Sequence, residues 1–199
     1  LSRLDGMFAF VIYDKENKTY FGARDRLGVK PFYFIHKNET FCFASEQHAL
    51  HHYPIFSSVL NQTYLFDLFV FNEHERRRES IYSCIQELKA SEYFEYKVSS
   101  DHLAISTYNH YNTTNQEVSI KDIEQKLKQS IKRRMRTPVP IGACLSGGID
   151  SSILVGLMSN LSDREIHTFT AHYPNTSVDE GRFARMVTDM HETNAHFVE

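Results

Sequence analysis

The chain has 199 residues, 41% of them hydrophobic and 24% charged, with a net charge of −3. That composition is ordinary for a core-forming globular chain and excludes a disordered one; the slight acidity gives no reason to expect nucleic-acid binding. Three cysteines (Cys42, Cys84, Cys144) argue against a disulfide framework and have no metal-like spacing, and no apolar run reaches the length of a membrane span.

The first fifty residues read as antiparallel hairpins. Met7–Tyr13, Lys18–Arg24, Pro31–Ile35 and Thr40–Ala44 are short runs rich in Phe, Tyr, Val and Ile, with polar turns between them. A sheet of this kind needs a second layer, and none is evident in this half. Ser45-Glu46 reads as a helix start, with Glu46 near the positive end. Residues 51–118 carry no clear period. The mixed charge run Glu73–Glu79 reads as a solvated loop or helix end, and the polar stretch Asn112–Gln116 as a domain boundary, dividing the chain into 1–112 and 113–199.

The rhythm then changes. Ile120, Ile123, Leu127, Ile131 and Met135 recur at spacings of three and four, an amphipathic helix that Ser119 can cap. A strand over 139–145, a helix over 151–161, a strand at Ile166–Ala171, a helix opened by Ser177-Val178-Asp179-Glu180 and running to Met190, and a strand at Asn194–Val198 follow. Alternating strands and helices imply a parallel sheet with right-handed crossovers, whose ligands bind at the carboxyl ends of the strands. Cys144, inside an apolar strand, reads as a small core residue.

The most informative stretch lies at one of those ends. Ser146-Gly147-Gly148-Ile149-Asp150-Ser151-Ser152 joins a strand to a helix. Glycines let backbone N–H groups approach an anion, the helix N-terminus adds partial positive charge, and the three serines offer hydroxyls. Asp150 repels a bare phosphate, so its partner is a Mg²⁺ that bridges to one. A Walker loop is excluded because no Lys follows the glycines.

Ser-Gly-Gly-x-Asp-Ser resembles the pyrophosphate loop of enzymes that cleave ATP between its α and β phosphates. With Leu4–Phe10, Ala23–Tyr33 and Phe43–Glu46 before it, and Asp179-Glu180…Ala184-Arg185 after it, the chain resembles the glutamine-dependent asparagine synthetase family. The resemblance implies a fold in two parts: an α+β piece of an N-terminal-nucleophile glutaminase sheet layer, then an incomplete α/β pyrophosphate-loop domain. It implies a cytoplasmic ligase in the full-length protein, with ATP and Mg²⁺ as cofactors and aspartate and glutamine or ammonia as substrates. It implies no nucleic-acid or membrane partner and leaves a homodimer open. In the implied reaction, ammonia released from glutamine displaces AMP from a β-aspartyl-AMP.

Carried over residue by residue, the resemblance assigns Ser146, Gly147, Gly148, Asp150, Ser151 and Ser152 to the pyrophosphate, Asp150 to Mg²⁺, and Leu145 and Ala171 to positions beside the nucleotide. It assigns Arg24-Asp25 and Lys30-Pro31 a structural turn or ion pair rather than substrate contact. No catalytic residue falls within the chain: Leu1 cannot serve as the family's N-terminal Cys, and the chain reads as an internal fragment, inactive alone. It also departs from the family. Lys89-Ala90-Ser91 replaces the usual Pro-Pro-Gly, and there is no Trp near 110. A β-lactam synthetase or peptide cyclase type of enzyme with another acceptor, or a non-catalytic relic, therefore stays open.

Overall fold

The computed structural model describes residues 1–72, 78–109, 117–174, 176–177 and 179–199. Among the described residues it is a mixed α/β structure with three sheets, one of them parallel, and the chain divides into two compact units, Leu1–Thr113 and Thr114–Glu199. The expected boundary stretch, Asn112–Gln116, lies outside the described residues. Among the described residues no helix is long and apolar enough to cross a membrane.

The first unit starts with hairpins β1 (Ala9–Asp14)–β2 (Thr19–Arg24) and β3 (Tyr33–Lys37)–β4 (Thr40–Ala44), each within two residues of its expected bounds. Helix α1 (Gln47–Leu50) follows Glu46, and α2 (Gln62–Phe71) is capped by Asn61, whose side chain accepts from Tyr64 N at 3.1 Å. The unreadable middle region then supplies β5 (Gln86–Glu87), β6 (Glu92–Lys97) and β7 (His102–Thr107). These complete an antiparallel sheet in the order β1-β2-β6-β7 and a second in the order β4-β3-β5.

The second sheet corrects the expectation that this half lacks a second layer. Val11, Tyr20, Phe94, Tyr96, Leu103 and Ile105 share one face of the first sheet and pack on Phe34, Phe41 and Phe43 of the second and on Phe32 just before β3. Phe34 and Phe94 are each 1% exposed, and burying each contributes about 1.5–3 kcal/mol. The opposite face of the second sheet buries Ile35 and Cys42 against Leu50 and Ile85. Hairpins β1–β2 and β3–β4 are adjacent in sequence but lie in different sheets. Their pairing therefore gave no sign that they are partners across a core.

Arg24 and Asp25 do not pair with each other. Asp25, 1% exposed, accepts from the backbone N–H groups of Phe8, Leu27, Val29 and Lys30 at 3.0–3.2 Å. Arg24 donates to the carbonyls of Gly28, Lys30 and Leu88 and to Glu87 Oε1, all at 2.6–2.7 Å. The segment is a structural knot, with every hydrogen-bonding group of both side chains directed into the chain itself. Ser91 holds a left-handed φ of 63°. Its buried hydroxyl donates to Arg26 O at 3.1 Å, a bond glycine lacks and one that offsets backbone strain of about 1–2 kcal/mol. Of the charge run Glu73–Glu79, residues 73–77 lie outside the described residues. Arg78, at its end, is not a freely solvated charge, because it forms a fork to both oxygens of Glu92 at 2.6 and 2.8 Å.

The second unit runs α3 (Ile120–Arg134), β8 (Gly142–Cys144), α4 (Ile149–Leu161), β9 (His167–Ala171), α5 (Gly181–His191), β10 (Asn194–Val198). Ser119 caps α3 in a capping box with Asp122. The three strands are parallel in the order β10-β9-β8. Register puts Ala143, Thr168, Thr170 and Phe197 on one face, and α4 and α5 cover it through Val155, Ala184 and Val187. Gly142, Cys144, Phe169, Ala171, His196 and Val198 share the other.

Two expectations are corrected here. Cys144 is exposed, because the period of two turns it away from α4 and α5. Parallel strands are usually covered on both faces, but here α4 and α5 cover only the face that carries Ala143. Helix α5 begins at Gly181 rather than at Ser177. Val178 lies outside the described residues, and the N-cap residue Glu180 makes no side-chain capping bond.

Candidate nucleotide site

The loop after β8 begins in a bend that only glycine adopts freely. Gly147 has φ +85°, and a β-carbon there would stand 2.6 Å from both Ala184 N and Phe183 Cβ in the first turn of α5. The backbone of the loop therefore lies directly against that helix. Gly148 is the N-cap residue of α4 and lacks a side-chain cap of its own.

Hydroxyls gather around Gly148. Gly148 N donates to Ser146 Oγ at 3.2 Å, and Ser146 Oγ lies 3.1 Å from Ser151 Oγ. Ser151 and Ser152 donate to Gly148 O at 3.1 and 2.7 Å. Asp150 occupies the first turn of α4, where the helix dipole favours a negative charge, and its side chain is exposed.

A cleft of about 740 Å³ opens at the carboxyl ends of the parallel strands, large enough for a small-molecule ligand. Leu145, Ser146, Ser151 and Ala171, four of the eight residues expected beside a nucleotide, line it. Gly147, Gly148, Asp150 and Ser152 shape the loop and the start of α4 but are not part of that lining. Leu145 is 1% exposed, with its N–H on Phe169 O and its carbonyl accepting from Thr170 Oγ1.

Cys144, Phe169, Tyr173, Glu180 and Val198 also line the cleft, and none was singled out from the motif. Strand period was the available signal for three of them, because Cys144, Phe169 and Val198 share the open face with Ala171. Glu180 and Tyr173 come from the β9–α5 connection, where no period operates. A second cavity, about 590 Å³, lies at the opposite ends of the strands against Arg136, Arg164 and His167, and holds none of the expected residues.

The donor set suits a hard cation: a carboxylate and hydroxyl oxygens, with no thiolate or imidazole required. No group of three or more His, Cys, Asp and Glu among the described residues could hold a metal. A cation at Asp150 would therefore need further oxygens from a bound phosphate.

The placement of the thiols gives a direct check. Cys144 borders the cleft and is exposed, whereas burial covers Cys42 and pushes its thiol pKa up. In the native protein, iodoacetamide followed by peptide mass spectrometry is expected to label Cys144 well before Cys42, and Mg·ATP is expected to slow labelling of Cys144. Equal labelling of both thiols would contradict the burial; labelling of Cys144 that ignores Mg·ATP would count against a nucleotide site in this cleft.

Residues 1–111 match the family described as glutamine amidotransferase domain, and residues 122–199 the family described as asparagine synthase. Among curated proteins, the glutamine-hydrolyzing asparagine synthetase 3 of Bacillus subtilis is 25% identical over 214 residues, covering 98% of this chain and 34% of that protein. A putative glutamine-hydrolyzing asparagine synthetase 2 of Methanocaldococcus jannaschii is 30% identical over 209 residues, covering 98% of this chain and 39% of its own length. A probable glutamine-hydrolyzing asparagine synthetase of Dictyostelium discoideum is 28% identical over 164 residues, covering 82% and 26%. The chain thus spans 26–39% of the length of these three relatives.

Proposed function

Because the chain belongs to the glutamine amidotransferase domain family and continues over residues 122–199 into the asparagine synthase family, we propose that it is part of a ligase that makes asparagine from aspartate with nitrogen from glutamine. The observation that carries the reading is the cleft at the carboxyl ends of β8–β10, with Ser146 and Ser151 in its wall and the start of α4 beside it. Donors at such a helix start fit a polyphosphate. Leu145 and Ala171, which also line the cleft, support a nucleoside bound beside the polyphosphate.

The chemistry follows from the substrates. A carboxylate is a poor electrophile. Its oxygen attacks the α-phosphorus of ATP, the bond to the β-phosphate oxygen breaks, and pyrophosphate leaves. The resulting β-aspartyl-AMP carries a good leaving group; ammonia adds to its carbonyl carbon, AMP departs and a proton is lost, giving asparagine. The loop holds the departing pyrophosphate through backbone N–H groups and serine hydroxyls. Mg²⁺ held by Asp150 together with phosphate oxygens would offset negative charge there.

Pyrophosphate release by the full-length protein tests this. Release from Mg·ATP that depends on aspartate and on glutamine or ammonia is expected. Release driven only by another carboxylic acid would move the reading to an amide-forming relative with a different acceptor, and no Mg·ATP binding would leave a non-catalytic relic.

A further inference from the structure

The loop takes its position from α5, since the Gly147 backbone rests on Phe183 and Ala184. One carboxylate ties the first turn of α5 to the end of β9. Asp179 Oδ1 accepts from Gly181 N at 3.1 Å, from Tyr173 N at 3.1 Å and from His172 Nδ1 at 2.9 Å. The Tyr173, Gly181 and His172 bonds, outweighing burial, hold the Asp179 carboxyl below its ordinary range, so it is ionised at neutral pH.

The imidazole is wedged against the helix start. A β-carbon on Gly181 would stand 2.5 Å from His172 Nδ1, and the ring makes an edge contact with Phe197 at 6.0 Å between centroids. Donation from Nδ1 to the carboxylate also sets the tautomer. The residues beside the pair, Tyr173 and Glu180, line the cleft. From Asp179 the path to the phosphate loop is short: Gly181 N, the first turn of α5, then Gly147.

We propose that His172 and Asp179 form a positioning pair that sets the phosphate loop through the first turn of α5, and so governs affinity for the triphosphate of the nucleotide. The inference rests on the nucleotide reading of the cleft. Neither side chain is assigned contact with substrate. The pair holds in place the backbone on which Gly147 leans, so the phosphate-binding donors stay arranged before ligand arrives.

The test uses the full-length protein, with pyrophosphate release for kinetics and calorimetry of Mg·ATP for binding. Asp179→Ala is expected to raise the KM for Mg·ATP by about tenfold while kcat and the KM for the acceptor change by less than about twofold. Asp179→Asn keeps an oxygen acceptor for Gly181 N and Tyr173 N, and is expected to recover most of the loss. His172→Leu removes the ring's donor without touching the carboxylate, and is expected to raise the KM for Mg·ATP by about threefold; it decides the matter if Asp179→Ala does not fold.

A KM for Mg·ATP within twofold of wild type in Asp179→Ala, or in His172→Leu when that variant decides, would overturn the pairing role. So would a loss spread equally over kcat and every KM with a lowered melting temperature, the mark of general structural damage. Wild-type protein that does not bind Mg·ATP would sink the nucleotide reading itself. Wild-type binding that Gly147→Ala destroys and Asp179→Ala leaves intact would sink only the positioning inference.

Discussion

Replacing Gly147 by alanine is expected to weaken Mg·ATP binding by about 30-fold or more, through two costs that add. A left-handed φ of +85° costs a non-glycine residue about 1–2 kcal/mol. The methyl group would also stand 2.6 Å from Ala184 N, a backbone atom of α5 with no freedom to swing aside, and overpacking of this kind costs about 1–3 kcal/mol. The loop escapes both by lifting off α5, which separates the donors that the phosphate needs. A loss of about 2 kcal/mol or more in the binding conformation corresponds to the stated factor. Titration calorimetry of the variant against wild type reads it directly. Binding within threefold of wild type would show that the seat on α5 does not matter. Ser152→Ala is the milder comparison, since its hydroxyl bonds only Gly148 O in the hydrogen bonds described for it; about 1 kcal/mol is expected.

Loss of the Asp25 charge is expected to destabilise the first unit by about 3–5 kcal/mol, because four backbone N–H groups lose a buried charged acceptor together. Asp25→Asn brings an NH₂ group against a ring of donors and is not a conservative change. Chemical denaturation of the full-length protein, followed by a probe in the first unit, measures the effect; a change below 1 kcal/mol would refute it. The pH dependence has a fixed sign. Burial raises the Asp25 pKa, but the N–H bonds from Lys30, Val29, Leu27 and Phe8 outweigh it and hold the carboxyl below its ordinary 3.8. A folded-state pKa below the unfolded one means that the stabilisation is complete above 3.8 and is lost as pH falls through the folded value. Acid unfolding of the wild type should therefore steepen below pH 3.8, and this part of the curve should be missing in Asp25→Asn.

The same residues show why part of the architecture is legible in sequence and part is not. Hairpins β1–β2 and β3–β4 could be read because each closes locally, through turns of a few polar residues between β-branched and aromatic runs. Strands β5 to β7 could not. Strands β6 and β7 close a hairpin of their own, but the partners that tie β5 and β6 to the first hairpins lie far along the chain: Gln86 pairs Phe34 and Phe94 pairs Gly22, and local pattern carries no record of a distant partner. The second layer is hidden in sequence because which strands return to pair is a long-range property, independent of β-propensity. Ser91 adds a smaller case. Its left-handed backbone is invisible from the residue type and is held by Arg26 O and the backbone bond from Ser91 N to Asp25 O.

For the site, chemistry that resides in consecutive residues was determined by the sequence alone. Small residues between a strand and a helix, three hydroxyls, a carboxylate and no lysine are the features on which the proposed phosphate loop rests, and they can be read locally because glycine conformation and helix polarity are local properties of the chain. Which side chains share the cleft was decided only by tertiary structure. Strand register turned Cys144 and Phe169 onto the open face. The packing of α5 under Gly147 made a residue near position 180 matter to a loop near position 147. Both depend on contacts between segments some 25–40 residues apart, whose geometry is set when α4 and α5 bury their apolar faces against Ala143 and Phe197.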